Sequence, residues 1–173
     1  MPSTSSYSSG AKKKDSIDEI SGDKQSENKD GALPSVTETR SGMFSSDVNK
    51  QLESIQGINS VLSTEKDDKM KTYIDELIAE DIVKKLVTFL PVLELQLEAG
   101  RALTNIASGN SAHTRAVADA GAVPHFVNFL TSESPKLCEQ GVCVLGNIAG
   151  DGPIMRDLII ESGAVEPLLN LAR

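Results

Sequence analysis

The sequence predicts an all-α protein, a short right-handed superhelix (solenoid) of stacked helical repeats behind a polar N-terminal tail. Two observations support this fold class. A run of residues returns after 42 positions, and both copies contain apolar residues at helical spacing. Aromatic residues make up only 3% of the chain and Trp is absent, whereas the core of a β-sheet protein draws on aromatic and β-branched side chains.

The first 45 residues have a different composition from the rest of the chain. They are dense in Ser, Gly, Lys, Asp and Glu, and their apolar residues are too sparse to bury a core. We therefore expect residues 1–45 to be disordered. The triplet Lys12, Lys13 and Lys14 within them is either a weak localisation or autoinhibitory signal or, more simply, a solvated stretch of the tail.

From residue 46 onward the apolar residues recur at steps of three and four, which indicates amphipathic helices. A leading helix is expected at 46–63. Two complete three-helix repeats and one incomplete repeat follow it, so residues 46–173 form the predicted repeat domain. The clearest helices of these repeats are predicted at 81–90, 92–107, 111–119, 123–130, 135–149 and 165–172.

The third helix of each complete repeat carries an apolar stripe and, beside it, an Asn at the same position. Asn105 and Asn147 differ by 42 positions, so stacking of the repeats would align them along one surface. A side-chain amide both donates and accepts hydrogen bonds, which suits it to bind a peptide backbone. The two apolar stripes consist of small and aliphatic residues: Leu95, Ala99, Ala102, Leu103 and Ile106, then Leu137, Gly141, Val144, Leu145 and Ile148.

The repeated runs Ala102–Gly109 and Leu145–Asp151 resemble the second and third repeats of importin alpha, an armadillo-repeat family of nuclear import adaptors. The similarity covers residues 47–173. It implies an armadillo superhelix that binds lysine- and arginine-rich nuclear localisation signals of other proteins in a groove lined by third helices. It also implies importin beta as a partner, bound through a basic N-terminal segment, and a location in the cytoplasm and the nucleus.

Residue by residue, the resemblance implies a set of peptide-binding positions, which are Asn105, Asn147, Gln140, Asp151, Ser108, Gly109 and Thr114. Asp151 would offer its carboxylate to a lysine ammonium, or would instead cap the helix that starts near Pro153. The Trp positions of the family's groove hold Arg101 and Cys143 here, and residues 1–45 contain no Arg-rich segment. These departures keep a second hypothesis open, an armadillo scaffold or regulator that has lost signal binding.

Several other functions are not expected. The formal net charge of −8 disfavours nucleic acid and anionic membrane as partners, and no run approaches the ~20 apolar residues of a membrane helix. Cys138 and Cys143 lie five positions apart and share no helix face, so we expect free thiols. His113 and His125 lie far apart without an acidic or Cys cluster, which argues against catalysis, a metal site or a cofactor.

The last predicted helix has no third helix after it in this sequence. Leu168, Leu169 and Leu171 should therefore be exposed. We expect this apolar surface to support self-association or the docking of a partner.

Overall fold

A computed structural model describes residues 34–64 and 68–173, and within these ranges all regular secondary structure is α-helical. The all-α prediction is confirmed. The helices are, in order, α1 (Val36–Met43), α2 (Val48–Thr64), α3 (Asp68–Ala79), α4 (Ile82–Phe89), α5 (Gln96–Ala107), α6 (Ser111–Asp119), α7 (Val123–Phe129), α8 (Pro135–Gly150), α9 (Pro153–Glu161) and α10 (Val165–Leu171).

The helices are arranged as consecutive repeats. The third helices α2, α5 and α8 pack side by side, and α4 and α7 pack against the third helix that follows them in the chain. Each of α5 and α8 also contacts the first helix of the next repeat, α6 or α9. Contacts between neighbouring repeats of this kind are typical of a solenoid.

The predicted apolar stripes lie in the core of this stack. Leu95, at the N-cap of α5, and the four stripe residues within α5 are completely buried, and the four stripe side chains of α8 are at most 7% exposed. Gly141, the fifth stripe position of α8, is also buried, because α7 approaches it closely. Phe126 and Phe129 of α7 meet edge to face, with 5.4 Å between their ring centroids.

The repeat domain is predicted to begin at residue 46, and the structure has one further helix, α1, before that residue. Ser35 and Glu38 form a capping box in which the Ser35 hydroxyl accepts a hydrogen bond from the Glu38 N–H at 3.3 Å and the Glu38 carboxylate accepts one from the Ser35 N–H at 3.2 Å. The helix buries Val36, Thr39 and Met43 and packs against α2, α3 and α4. Residues 1–33 of the predicted tail, including the lysine triplet, lie outside the described residues.

Most predicted helix boundaries are within two residues of those in the structure, and α6 matches its prediction at both ends. The exception is α5, which begins at Gln96 rather than at residue 92. Before it, the N–H of Val92 donates to the Phe89 carbonyl and the N–H of Leu95 donates to the Val92 carbonyl, each at 2.9 Å, so the chain forms turns there. In the described part of the chain, none of the helices has the length and apolar character needed to cross a membrane.

Candidate functional site

Each third helix has a row of polar residues beside its buried apolar stripe, and these rows together form one polar face. Residues three and four positions apart share a helix face, and stacking places equivalent residues of neighbouring third helices next to each other. The burial pattern of α2 matches that of α5 after 45 positions, which pairs Ser60 with Asn105. We call this surface the ladder face, and it consists of Gln56, Ser60 and Ser63 on α2, Glu98, Arg101 and Asn105 on α5, and Gln140, Cys143 and Asn147 on α8.

Asn105 and Asn147 occupy equivalent positions on this face. Both are half-buried, and neither side-chain amide makes a hydrogen bond to another residue within the two described ranges. The backbone carbonyl of Asn105 accepts a hydrogen bond from the Ser108 hydroxyl at 2.7 Å, which leaves the amide unaffected. The ladder face therefore offers two side-chain amides with their donors and acceptors free.

Three of the other predicted binding residues have structural contacts. Thr114 is buried, and its hydroxyl donates to the carbonyls of Ala107 at 2.9 Å and Asn110 at 3.1 Å, so it joins the end of α5 to the start of α6. Gly109 is exposed, but a Cβ there would collide with the ring of His113. Ser108 is exposed, and its hydroxyl donates to the carbonyl of Asn105 in α5.

Gln140 and Asp151 also have partners inside the protein. The side-chain oxygen of Gln140 accepts a hydrogen bond from the Thr104 hydroxyl at 2.6 Å, which connects α5 to α8. The Asp151 carboxylate lies 2.9 Å from Nε of Arg115, and its side chain is only 8% exposed. The Ser111 hydroxyl and the Arg115 guanidinium together lower the pKa of Asp151 below its ordinary value. The alternative capping role is not observed, since Gly152 occupies the N-cap of α9.

Arg101 and Glu98 lie where the ladder face passes from α5 to α2. The Arg101 guanidinium is 3.7 Å from the Glu98 carboxylate, which also accepts a hydrogen bond from the Asn59 amide at 2.8 Å. These residues line an open cavity of about 290 Å³ together with Gln56, Ser60 and Ser63. Asn59 is buried, and its side-chain oxygen receives no hydrogen bond within the described residues.

Glu98 and Asn59 are two residues of this site that were not expected from the sequence. For Glu98 a signal was available, because it precedes Gln140 by the same 42 positions that separate the two ladder Asn residues. For Asn59 no comparable signal exists, because the equivalent position on α5, 45 residues later, is Thr104. Its contact with Glu98, 39 positions away, depends on how α2 and α5 stack.

The two histidines have different environments. His113 is completely buried, its Nε2 lies 2.8 Å from the Asp75 carboxylate, and its Nδ1 accepts the N–H of Asn110 at 3.4 Å. It thus connects α6 to α3 as part of the fold. His125 is half-buried on α7. Across residues 34–64 and 68–173 there is no group of three or more His, Cys, Asp or Glu side chains that could hold a metal ion, and both cysteines are free thiols.

Comparisons with known proteins agree with this architecture. Residues 110–150 match the family model for the armadillo/beta-catenin-like repeat. The chain is 43% identical over 141 residues to importin subunit alpha-2 of Arabidopsis thaliana, and 44% identical over 143 residues to importin subunit alpha-1a of Oryza sativa subsp. japonica. These matches cover 80% and 81% of this chain but only 26% of each relative, so the chain spans about a quarter of their length.

Solved structures of designed and engineered proteins have the same fold. A designed armadillo repeat protein in complex with the peptide (KR)4 matches with a TM-score of 0.70 and 26% identity, over 80% of this chain and 56% of that one. An engineered protein matches with a TM-score of 0.69 and 32% identity, over 79% of this chain and 54% of that one.

The helical stack, the matched repeat and the similar solved structures define the fold of the chain as an armadillo-repeat solenoid. Within that class, its repeats are related in sequence to those of importin alpha, and the resemblance to the importin alpha family is confirmed.

Proposed function

We propose that this chain binds extended, basic peptides along its ladder face, as an importin-alpha-like adaptor for proteins that carry nuclear localisation signals. The observation that carries this proposal is the pair of free side-chain amides at Asn105 and Asn147. A side-chain amide that makes no hydrogen bond within the protein has both its donors and its acceptor available, and two such amides at equivalent positions suit the backbone of a peptide ligand. In this reading the protein acts in the cytoplasm and the nucleus.

The names of the relatives support the same proposal. Importin subunits alpha give the import role, and the designed armadillo protein bound to (KR)4 provides an example of this fold with a basic peptide. Importin beta as a second partner rests on the resemblance alone, because the basic residues Lys12 to Lys14 lie outside the described part of the chain.

The same site also favours a second candidate, an armadillo scaffold that no longer binds localisation signals. Arg101 places a positive charge on the ladder face, and Asp151, the carboxylate expected to receive a lysine, is already paired with Arg115. Both features weaken the attraction for a basic peptide, because a bound lysine must approach one cation and displace another.

Calorimetric titration of the full chain with an eight-residue (Lys-Arg)4 peptide distinguishes the two candidates. We expect binding that weakens with salt, and we expect the double variant Asn105→Ala, Asn147→Ala to lose about tenfold to hundredfold in affinity, since each hydrogen bond to a peptide contributes ~0.5–1.5 kcal/mol. Asn128→Ala, an exposed Asn on α7, is the matched control and should leave affinity unchanged. A folded native chain that does not bind the peptide would reject the adaptor and favour the scaffold.

A further inference from the structure

Among the residues of the ladder face, Arg101 carries the positive charge. The N–H donors of its guanidinium are not used in hydrogen bonds to the described residues. Half of its side chain is exposed, and its guanidinium donates no hydrogen bond within the described ranges. The nearest carboxylate, that of Glu98, is 3.7 Å away, which allows attraction between the charges but is too long for a hydrogen bond. Arg115 differs, because its Nε donates to Asp151 at 2.9 Å.

Glu98 is held in place from the opposite side. Asn59 donates to both its side-chain oxygen, at 2.8 Å, and its backbone carbonyl, at 3.1 Å, so α2 fixes the position of this carboxylate. The Glu98 side chain is 20% exposed, whereas that of Arg101 is 49% exposed. A ligand on the ladder face therefore meets the guanidinium more readily than the carboxylate behind it.

The residues equivalent to Arg101 on the neighbouring third helices are uncharged. They are Gln56 on α2 and Cys143 on α8, so this row of the ladder face presents a single charge, a positive one. A guanidinium offers five N–H donors in a planar arrangement that matches a carboxylate in two parallel hydrogen bonds. A lysine or arginine at the same place would meet like charge and would offer no acceptor.

We infer that Arg101 is a specificity-determining residue that selects an acidic side chain, Asp or Glu, at the one peptide position that passes it. The peptide that fits this chain is then of mixed charge, basic along most of its length with a carboxylate opposite Arg101. This inference rests on the proposed function, since it assigns one subsite of the same peptide-binding surface.

An aspartate scan of the (Lys-Arg)4 peptide tests the inference. Eight peptides, each with a single Asp, are titrated against the native full chain and against Arg101→Gln, which removes the charge at an exposed position and leaves the buried stripe untouched. For the parent peptide, Arg101→Gln should bind more tightly, because repulsion is removed. For the Asp peptide in register with Arg101, it should bind about threefold to tenfold more weakly than the native chain.

Lys84→Gln is the matched control, because it removes one positive charge from α4, outside the ladder face. It should shift the affinity of all nine peptides in the same direction. Arg101→Lys should retain part of the preference, since it keeps the charge but loses the paired hydrogen bonds. If the peptides bind but none of the Asp peptides binds the native chain more tightly than Arg101→Gln, the inference is wrong while the proposed function stands. If none of the peptides binds the folded native chain, both fail.

Discussion

Gly141 and Gly146 lie five positions apart on α8 and have opposite environments. A Cβ at Gly141 would be 2.8 Å from the carbonyl oxygen of Phe126 and 3.1 Å from a methyl carbon of Leu130, both from the repeat's second-helix region. A Cβ at Gly146 would meet no atom within 4 Å. The close approach of α7 to α8 thus depends on a glycine at position 141, because the Phe126 backbone cannot move without separating the two helices.

We expect Gly141→Ala to lower the free energy of unfolding by about 1–3 kcal/mol, the usual result of overpacking a core. Gly146→Ala should instead raise it by about 0.5–1 kcal/mol, because alanine loses less conformational entropy than glycine in a helix. Urea unfolding followed by far-ultraviolet circular dichroism measures both. Destabilisation by both substitutions to the same extent would show that the contact at Gly141 is not decisive.

For individual residues, the sequence identifies which ones occupy equivalent repeat positions. It does not show which polar side chains are already hydrogen-bonded to other residues of the protein. Asn105 and Asn147 followed from repetition alone. In the structure, the polar groups of Thr114 and Asp151 are hydrogen-bonded to other residues of the chain. Arg115 donates to Asp151, which lies 36 positions away in the sequence. Such pairs depend on how one repeat stacks on the next, which periodicity does not specify.

Among the helices, α1 is a short one that the periodicity of apolar residues does not predict. It has eight residues, of which only two, Val36 and Met43, are both apolar and buried, so it contains too few turns to display a periodicity. The longer helices were predicted because their stripes extend over several turns. The capping box formed by Ser35 and Glu38 was the available signal, since this pair of residue types at this spacing marks a helix start.

We expect Ser35→Ala to destabilise α1 by about 0.5–2 kcal/mol, because the N–H of Glu38 loses its acceptor. Backbone amide hydrogen exchange, read by mass spectrometry over residues 36–43, should become faster while exchange in α5 and α8 is unchanged. Ser41→Ala is the control, since Ser41 is exposed on α1 away from the cap. Equal protection in both variants would mean that packing against α2, α3 and α4 holds the helix without the cap.

The two ends of the described stack differ in character. At α1 the outward residues Thr37, Arg40 and Ser41 are polar, and Phe44 at its C-cap, which is 50% exposed, has the cations of Arg40 and Lys85 over its ring. At α10 the exposed residues include Val165, at 46%, together with Leu169 and Leu171, at 56% and 48%. Leu168, also expected to be exposed, packs partly against the core.

We expect the chain to self-associate through α10, and Leu169→Ser to weaken this association. Sedimentation velocity over a range of concentrations should show a rising average sedimentation coefficient for the native chain and a nearly constant one for the variant. Leu93→Ser is the matched control, because Leu93 is 77% exposed between α4 and α5 and its loss should change nothing. A native chain that remains monomeric throughout would exclude the contact.

The use of one surface, that of α10, also limits how far such an assembly can grow. A contact between the same surface on two copies is related by a twofold axis, so each copy consumes the surface of the other and none is left to recruit a third. A molecule that was apolar at both ends could instead join head to tail without limit. Association through α10 alone thus ends at a closed pair, because the contact uses the same surface on both copies.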